Sequence, residues 1–149
     1  MAYSFLDVDA KLVGAGAIID LGAGAKVSQE GISVTRNEDD DVMVIAPDGE
    51  GMHSLRANKS GVVTVNLLQD SPVNRQLQNL FNAQKASSSA WGNNLITIKQ
   101  RQSGDITICR GCAFARQPDL SYAQDGGVVT WTFNCIKIDT IRGEYATGE

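Results

Sequence analysis

The chain has 149 residues, a formal net charge of −4 at pH 7, and aromatic residues at only 6% of its positions. A protein that binds nucleic acid tightly usually gathers Lys and Arg on one face, and the 13 basic residues here are dispersed, which argues against that function. The length predicts one domain over residues 1–149. The scarcity of aromatic residues predicts a core of Val, Ile and Leu, and that composition favours strands.

Neither the opening residues nor any later segment predicts a membrane anchor. Residues 1–12 contain no basic n-region and no apolar stretch that is long enough for export. No later segment approaches the roughly 20 apolar residues of a membrane span. We therefore expect a cytosolic chain whose thiols are mostly reduced.

Short alternating apolar patterns recur along the chain, separated by turns that are rich in glycine. The patterns predict strands at residues 8–12, 18–21, 31–35, 42–46, 63–67, 94–102, 105–114 and 129–135. Pro47-Asp48-Gly49 follows the fourth pattern and predicts a tight turn, because proline presets φ and glycine accepts a positive φ. Ser103-Gly104 joins the sixth and seventh patterns, which predicts a β-hairpin.

One segment, residues 72–85, has the pattern of an amphipathic helix. Ser71 or Asp70 is placed to cap it, and Pro72 suits the first helical position because no hydrogen-bond donor is lost there. An apolar stripe follows at helical spacing, formed by Val73, Leu77, Leu80 and Phe81. The whole pattern predicts a mainly β fold, an antiparallel β-sandwich or barrel with one flanking α-helix.

One glycine motif and one cysteine motif resemble binding or catalytic sites, and each has a simpler structural interpretation. Gly14 and Gly16 begin like a dinucleotide fingerprint, but the third glycine is absent and a strand follows where a helix would hold pyrophosphate. We interpret them as glycines of a hairpin turn. Cys109 and Cys112 have CxxC spacing, yet a structural zinc site needs four ligands and a redox pair needs a helix start. We interpret them as buried strand cysteines, with Gly111 between them as a bulge.

The remaining candidate residues also lack the partners that a catalytic or metal site would need. His53 is the only histidine, and its neighbour Ser54 would point to the opposite face of a strand, which argues against a Ser-His-Asp site. The acidic run at residues 37–41 lacks EF-hand spacing, and as a block of like charge it predicts a solvent-exposed or partner-facing loop. No catalytic, cofactor-binding or metal-binding residue is predicted.

The order of these motifs resembles that of the tail tube proteins of contractile-tailed bacteriophages. The resemblance covers nearly the whole chain and rests on residues 3–14 (YSFLDVDAKLVG), 24–77 and 114–133 (FARQPDLSYAQDGGVVTWTF). Its most specific part is KSGVVTVNLLQDSPVNRQL at residues 59–77, in which a strand leads directly into Ser-Pro-x-Asn and a helix.

This resemblance implies a structural protein and no enzyme. Members of the family form hexameric rings that stack into the hollow inner tube of a contractile tail, the conduit for DNA ejection. The implied partners are further copies of the chain, the tail sheath protein, and the baseplate and tail terminator proteins. DNA would pass without specific binding. The implied location is the virion, after synthesis in the cytoplasm of the host bacterium.

The resemblance also implies two contact regions. A loop at residues 36–48 would reach the neighbouring ring, with candidate contacts at Arg36, Asn37, Glu38, Asp39, Asp40, Asp41 and Met43. The helix would lie at the boundary between subunits, with candidate contacts at Pro72, Val73, Arg75, Leu77, Leu80 and Phe81. Strands of adjacent subunits would form a continuous inner sheet around the lumen.

Other functions stay open on the sequence. One is a monomeric β-barrel that binds a small molecule in a pocket lined by polar groups. Another is a zinc- or thiol-dependent enzyme that uses Cys109, Cys112, Cys135 and His53. A tube of a type VI secretion or contractile bacteriocin device would share most of the physics of a phage tube. Oligomeric form separates these classes, because a tube protein gives rings or filaments.

Overall fold

The structure, a computed structural model, describes residues 8–14, 17–22, 27–89, 91–120, 122, 124 and 126–143. These ranges contain nine strands and one helix: β1 (Val8–Gly14), β2 (Ala17–Asp20), β3 (Val27–Arg36), β4 (Asp41–Ile45), β5 (Gly51–Leu55), β6 (Gly61–Leu68), α1 (Val73–Lys85), β7 (Asn94–Gln100), β8 (Asp105–Arg116) and β9 (Val128–Ile141). Each of the eight predicted patterns coincides with a strand, and β5 is the additional one. The glycine-rich turn between the first two patterns includes residues 15 and 16, which lie outside the described residues.

Seven of the strands form one antiparallel sheet, which we call the main sheet, in the order β2-β1-β7-β8-β9-β6-β3. β7 and β8 are joined by the turn at residues 101–104, in which the amide of Gly104 donates to the Gln100 carbonyl at 2.8 Å, so the predicted hairpin is confirmed. Other neighbours come from distant parts of the chain, since β1 pairs with β7 and β6 pairs with β9. Within the described residues, β4 and β5 pair with each other in a separate sheet.

The core lies on one face of the main sheet, where the inward residues of the strands meet the helix. Val63, Val65 and Leu67 of β6 are fully buried, as the period-two pattern predicted. Trp131 is the largest fully buried side chain, and its indole N–H donates to Oδ1 of Asn74 on the helix at 3.0 Å. The polar edge of the indole is therefore satisfied inside the core.

The helix α1 closes this core. Its apolar stripe is buried, as predicted, and it begins at Val73, one residue later than predicted, with Pro72 in a helical conformation directly before it. Oγ of Ser71 accepts a hydrogen bond from the amide of Val73 at 3.3 Å, whereas Pro72, the residue at the N-cap position, makes no side-chain cap bond. The mainly β, antiparallel class with one flanking helix is confirmed. No helix in the described ranges is both long and apolar enough to cross a bilayer.

Candidate assembly surfaces

A β-hairpin, which we call the arm, stands apart from the main sheet. It consists of β4 and β5 and the turn at residues 46–50, and its register places Met43 opposite His53. Gly49 adopts a φ of +91°, and its amide donates to the Ala46 carbonyl at 2.9 Å. The tight turn predicted from Pro-Asp-Gly is therefore confirmed.

The arm exposes apolar side chains on both of its faces. The exposed fractions are 58% for Met43, 54% for Val44, 59% for Ile45, 60% for Met52 and 89% for Leu55. Neighbouring residues of a strand point to opposite faces, so the described part of the chain covers neither face of the arm. A two-stranded hairpin is at best marginally stable alone in water, and clustered exposed apolar side chains mark an interaction site.

Hydrogen bonds fix the root of the arm to the main sheet. The side-chain amide of Asn37 donates to Oγ of Ser60 at 3.0 Å, and the backbone amide of Asn37 donates to the Ser60 carbonyl at 3.2 Å. Nη1 of Arg36 donates to the carbonyl of Ile138 on β9 at 2.7 Å. The base of the arm is therefore held in place, whereas its tip extends from the sheet.

The residues predicted to contact the next ring divide between the root and the arm. Arg36 and Asn37 bond to the main sheet and belong to the root. Residues 38–40 form an exposed acidic bend. Asp41 and Met43 lie on β4, so the second half of the loop implied by the resemblance contains a strand. Their contact with a neighbouring ring stays a prediction.

The arm and its root hold the whole net charge of the chain. Residues 36–56 contain six of the 17 acidic side chains and two of the 13 basic ones, so the rest of the chain contains eleven of each. Asp48 and Glu50 lie at the tip, and Oδ2 of Asp41 lies 2.7 Å from Nδ1 of His53. An acidic, partly apolar projection is thus attached to a body whose formal charge is zero.

A cleft of about 580 Å³ opens between the last turns of α1 and the end of β8. We call it the aromatic cleft and define it by Phe81, Lys85, Ser88, Trp91, Phe114 and Arg116. The Phe81 ring meets those of Phe114 and Trp91 edge-on, with centroids 5.4 and 5.9 Å apart. Nζ of Lys85 lies 5.4 Å from the centroid of Phe81. The charged residues that line the cleft are both cationic. No sequence pattern marked it, because its walls come from three separate segments.

The arm and the aromatic cleft lie at different positions along the strands of the main sheet. β6 and β8 each pair antiparallel with β9, so they run in the same direction. The arm precedes the first residue of β6, Gly61, whereas the cleft lies beside the last residue of β8, Arg116. On β9 these two residues pair with Cys135 and Thr132, so the molecule presents two different surfaces that are separated along the strand direction.

The residues predicted for the subunit boundary lie mainly inside their own subunit. The four residues of the apolar stripe of α1 are at most 6% exposed. Pro72 and Arg75 are exposed, and Gln76 and Asn79 accompany them on the outer side of the helix. Contact with an adjacent subunit at this boundary stays a prediction for α1, and the outer side of the helix offers exposed residues for it.

A buried polar pair, which the sequence analysis missed, supports the end of the helix. Nε2 of Gln84 donates to Oδ1 of Asn94 at 2.6 Å, and Nδ2 of Asn94 donates to Oε1 of Gln84 at 3.0 Å. Both residues are 1% exposed, so each amide meets the other's hydrogen-bonding needs. The available signal was the position of Gln84, seven residues after Leu77 and hence on the apolar stripe.

Three buried cysteines cluster between β8 and β9. Cys112 and Cys135 are cross-strand partners with Sγ atoms 2.7 Å apart. A hydrogen bond with Cys135 and burial raise the pKa of Cys109. The hydrogen bond with Cys109 lowers the pKa of Cys135, but the bond with Cys112 and burial outweigh it and raise that pKa to about 12. A protonated thiol is a poor nucleophile and a poor metal ligand, so Cys109 and Cys135 serve here as packing residues.

The local backbone explains how two cysteines three residues apart reach the same face of the sheet. Gly111 adopts a φ of +63°, and Asn94 pairs with Cys112 while Ile96 pairs with Cys109, so β8 has one extra residue here. The interpretation as strand cysteines around a glycine bulge is confirmed. His53 lies on the exposed arm, so the structure does not bring it to the cysteines.

A family model described as Bacteriophage PhiTE tail tube protein matches residues 1–143. A comparison with curated proteins gave no match.

Solved structures share the fold over nearly the whole chain. A chain from the tail of an empty GTA particle, computed with C6 symmetry, has a TM-score of 0.60 and 14% identity, and the match covers 97% of this chain and 100% of that one. A chain from the cap that terminates the tube of the anti-feeding prophage has a TM-score of 0.54 and 8% identity, and the match covers 96% of this chain and 94% of that one. A chain from the 6-fold symmetrised baseplate of the same particle has a TM-score of 0.50 and 13% identity, and the match covers 95% of each chain. These likenesses concern the fold alone.

Proposed function

The chain belongs to the Bacteriophage PhiTE tail tube protein family, a family of structural tail components, and on that premise we propose that it self-assembles into stacked hexameric rings. The rings form the inner tube of a contractile tail, the conduit for DNA ejection. The tail sheath protein surrounds the tube, and the baseplate and tail terminator proteins contact its ends. The chain acts through shape and charge and catalyses no reaction.

The arm is the observation that carries this proposal. Five of its apolar side chains are more than half exposed, and its root is fixed by hydrogen bonds to the main sheet. A fixed projection with uncovered apolar faces costs free energy in water, and a second copy that covers those faces recovers it. Assembly is the function that makes use of such a feature.

The edges of the main sheet support side-by-side association within a ring. Among the described residues, β2 and β3 are its outermost strands, and each has a neighbour on one side. The other side of an edge strand presents backbone groups that can pair with another chain. Adjacent subunits would continue the sheet around the lumen. The related fold in the GTA tail was computed with C6 symmetry, which supports six copies per ring.

The charge distribution suits a conduit that does not retain DNA. The chain outside residues 36–56 has eleven acidic and eleven basic side chains, so it supplies no net positive charge for phosphate binding. DNA carries one negative charge per about 1.7 Å of its axis, and a protein holds it by releasing counterions from phosphates. A wall without excess cations therefore lets DNA pass.

The monomeric ligand-binding alternative gains no support from the core. The interior positions that a ligand would occupy in a barrel are filled by side chains, among them Leu12, Trp131 and Phe133, each at most 2% exposed.

Electron microscopy of the purified protein over a concentration series tests the proposal. We expect rings with six subunits at low concentration and tubes of stacked rings at high concentration. Lone particles at every concentration would contradict the tube function. Assembled tubes should also bind duplex DNA weakly at all salt concentrations, whereas strong affinity that salt abolishes would contradict the conduit.

A further inference from the structure

We propose that the tip of the arm of one copy docks in the aromatic cleft of a second copy in the next ring. The inference rests on the proposed stacking of rings and goes further by naming the surface that receives the arm. The tip is the segment at residues 45–52, and the occupant of the cleft is therefore this same chain.

The placement of the two surfaces fits a head-to-tail contact. The arm leaves the sheet where β3 ends and β6 begins, and the cleft lies at the end of β8, which runs in the same direction as β6. Two different patches on one subunit give a heterologous contact, and such a contact can repeat from copy to copy without closing on itself. Stacking of rings requires this kind of contact.

The charges of the two surfaces are complementary. The tip carries two acidic side chains, Asp48 and Glu50, and no basic one. The charged groups lining the cleft are Lys85 and Arg116. Two carboxylates thus face two cations when the tip enters. Opposite charges placed in this way guide encounter and set the register of a contact.

The apolar side chains of the tip also match the cleft. Ile45 and Met52 lie on either side of the turn and are 59% and 60% exposed. The rings of Phe81, Phe114 and Trp91 form the apolar wall of the cleft. A thioether against aromatic rings is a favourable contact, and methionine adapts to irregular gaps.

One local group competes with the arm for the cleft. Nη2 of Arg116 lies 2.9 Å from Oδ1 of Asp119, and both side chains are largely exposed. An exposed pair of this kind is weak, and a guanidinium has five N–H donors, so the arm can share or displace Asp119. Removing this carboxylate with Asp119→Asn should therefore strengthen stacking and lower the protein concentration at which tubes form.

Site-specific cross-linking tests the contact directly. In a chain with Glu50→Cys and Ser88→Cys, a short bismaleimide should join the arm of each copy to the cleft of the next and give a ladder of covalent oligomers. The three native cysteines are buried and serve as an unreactive background. The matched control is Glu50→Cys with Gln76→Cys, because Gln76 is exposed on α1 outside the cleft and should give no ladder. Tubes that form without a ladder in the first variant would overturn the proposal.

Charge exchange provides a second test. Asp48→Lys with Glu50→Lys, or Lys85→Glu with Arg116→Glu, should reduce the sedimentable tube fraction about tenfold or more through repulsion, while rings persist. All four changes in one chain should restore tubes. Failure of the combined variant to recover, or loss of rings in the cleft variant, would overturn the docking site.

The two proposals fail in different ways. If the unmodified chain forms rings that stack and the variants above behave like it, the docking site is wrong and the tube function stands. If the unmodified chain forms no rings at any concentration, the tube function is wrong and the docking site falls with it.

Discussion

The arm and the rest of the molecule, which we call the body, differ in how far their apolar side chains are buried. In the body, the inward residues of the main sheet pack against the apolar stripe of α1, and Val65, Leu77 and Phe133 are fully buried. Some outward residues of the body, such as Ile136 and Ile141, are exposed. In the arm, Met43 and Leu55 are 58% and 89% exposed, although β4 and β5 are regular strands. The body contains a buried core within one copy, whereas no described residue covers the apolar faces of the arm. Folding stability therefore depends mainly on the body, and the apolar surface of the arm is available for the proposed assembly.

The largest expected effect follows from a charge placed in the core of the body. Leu77→Asp removes a fully buried side chain and leaves a carboxylate without water or a partner. Loss of the leucine packing alone costs about 2–5 kcal/mol, so we expect the soluble fold to be lost or destabilised by at least about 4 kcal/mol. Circular dichroism during urea denaturation measures this. Gln76→Asp on the exposed side of the helix should stay within about 0.5 kcal/mol of the unmodified chain.

A smaller loss is expected at the polar pair beneath the end of the helix. Gln84→Leu leaves the amide of Asn94 buried without its partner, which should lower the free energy of unfolding by about 1–3 kcal/mol. Combining Gln84→Leu with Asn94→Leu removes both polar groups and should recover part of that loss. If the double variant lost more free energy of unfolding than the two single variants lost together, the amides would not act as a pair.

The cysteine cluster predicts a decline in stability at alkaline pH. The folded pKa of Cys135 is about 12 and its ordinary value is 9.0, and the pKa of Cys109 is also raised. Since folding raises these pKa values, the stability from the protonated thiols is complete below pH 9 and falls as the pH rises towards 12. At pH 10 the loss should be on the order of 1 kcal/mol for each thiol. Urea midpoints at pH 7 and pH 10 measure it.

A variant without these thiols isolates their share of the decline. With Cys109→Ala and Cys135→Ala together, the difference between the urea midpoints at pH 7 and pH 10 should shrink. This holds whatever the substitutions cost in stability at pH 7. An equal decline in both chains would assign the pH dependence to other groups.

The smallest effect on stability is expected in the arm, and this prediction separates the arm from the body most clearly. Met43→Ser and Met52→Ser alter exposed side chains that pack on no described part of the body, so the free energy of unfolding of the isolated subunit should change by no more than about 0.5 kcal/mol. Tube formation should nevertheless fail, as sedimentation would show. A variant that is destabilised like a core variant would mean that the arm belongs to the body.

Local patterns in the sequence predicted most of the elements but not their arrangement. Alternation at residues 129–135, the turn at Gly104 and the apolar stripe of α1 act over short distances, and the structure confirms them. The neighbours in the main sheet, such as β1 beside β7, are far apart in sequence and depend on how the whole core packs. Local pattern alone cannot specify such pairs.

The candidate surfaces were predictable to a different extent. The acidic run and the Pro-Asp-Gly turn marked the arm, because both are local signals. The pairing of β4 with β5 away from the main sheet was not foreseen, since an exposed strand and a half-buried one share the same alternation. The aromatic cleft escaped prediction because Phe81, Trp91 and Arg116 become neighbours only in the folded chain.

The place of the arm in the topology has a consequence for how such proteins diverge. β3 and β6 are hydrogen-bonded neighbours, with Arg36 opposite Gly61, so the arm is an insertion between two strands that meet at its base. Such an insertion can be lengthened, recharged or exchanged at little cost to the interior. With the arm as the proposed stacking contact, two related chains made in one cell would keep interchangeable interiors and still sort into separate, unmixed tubes.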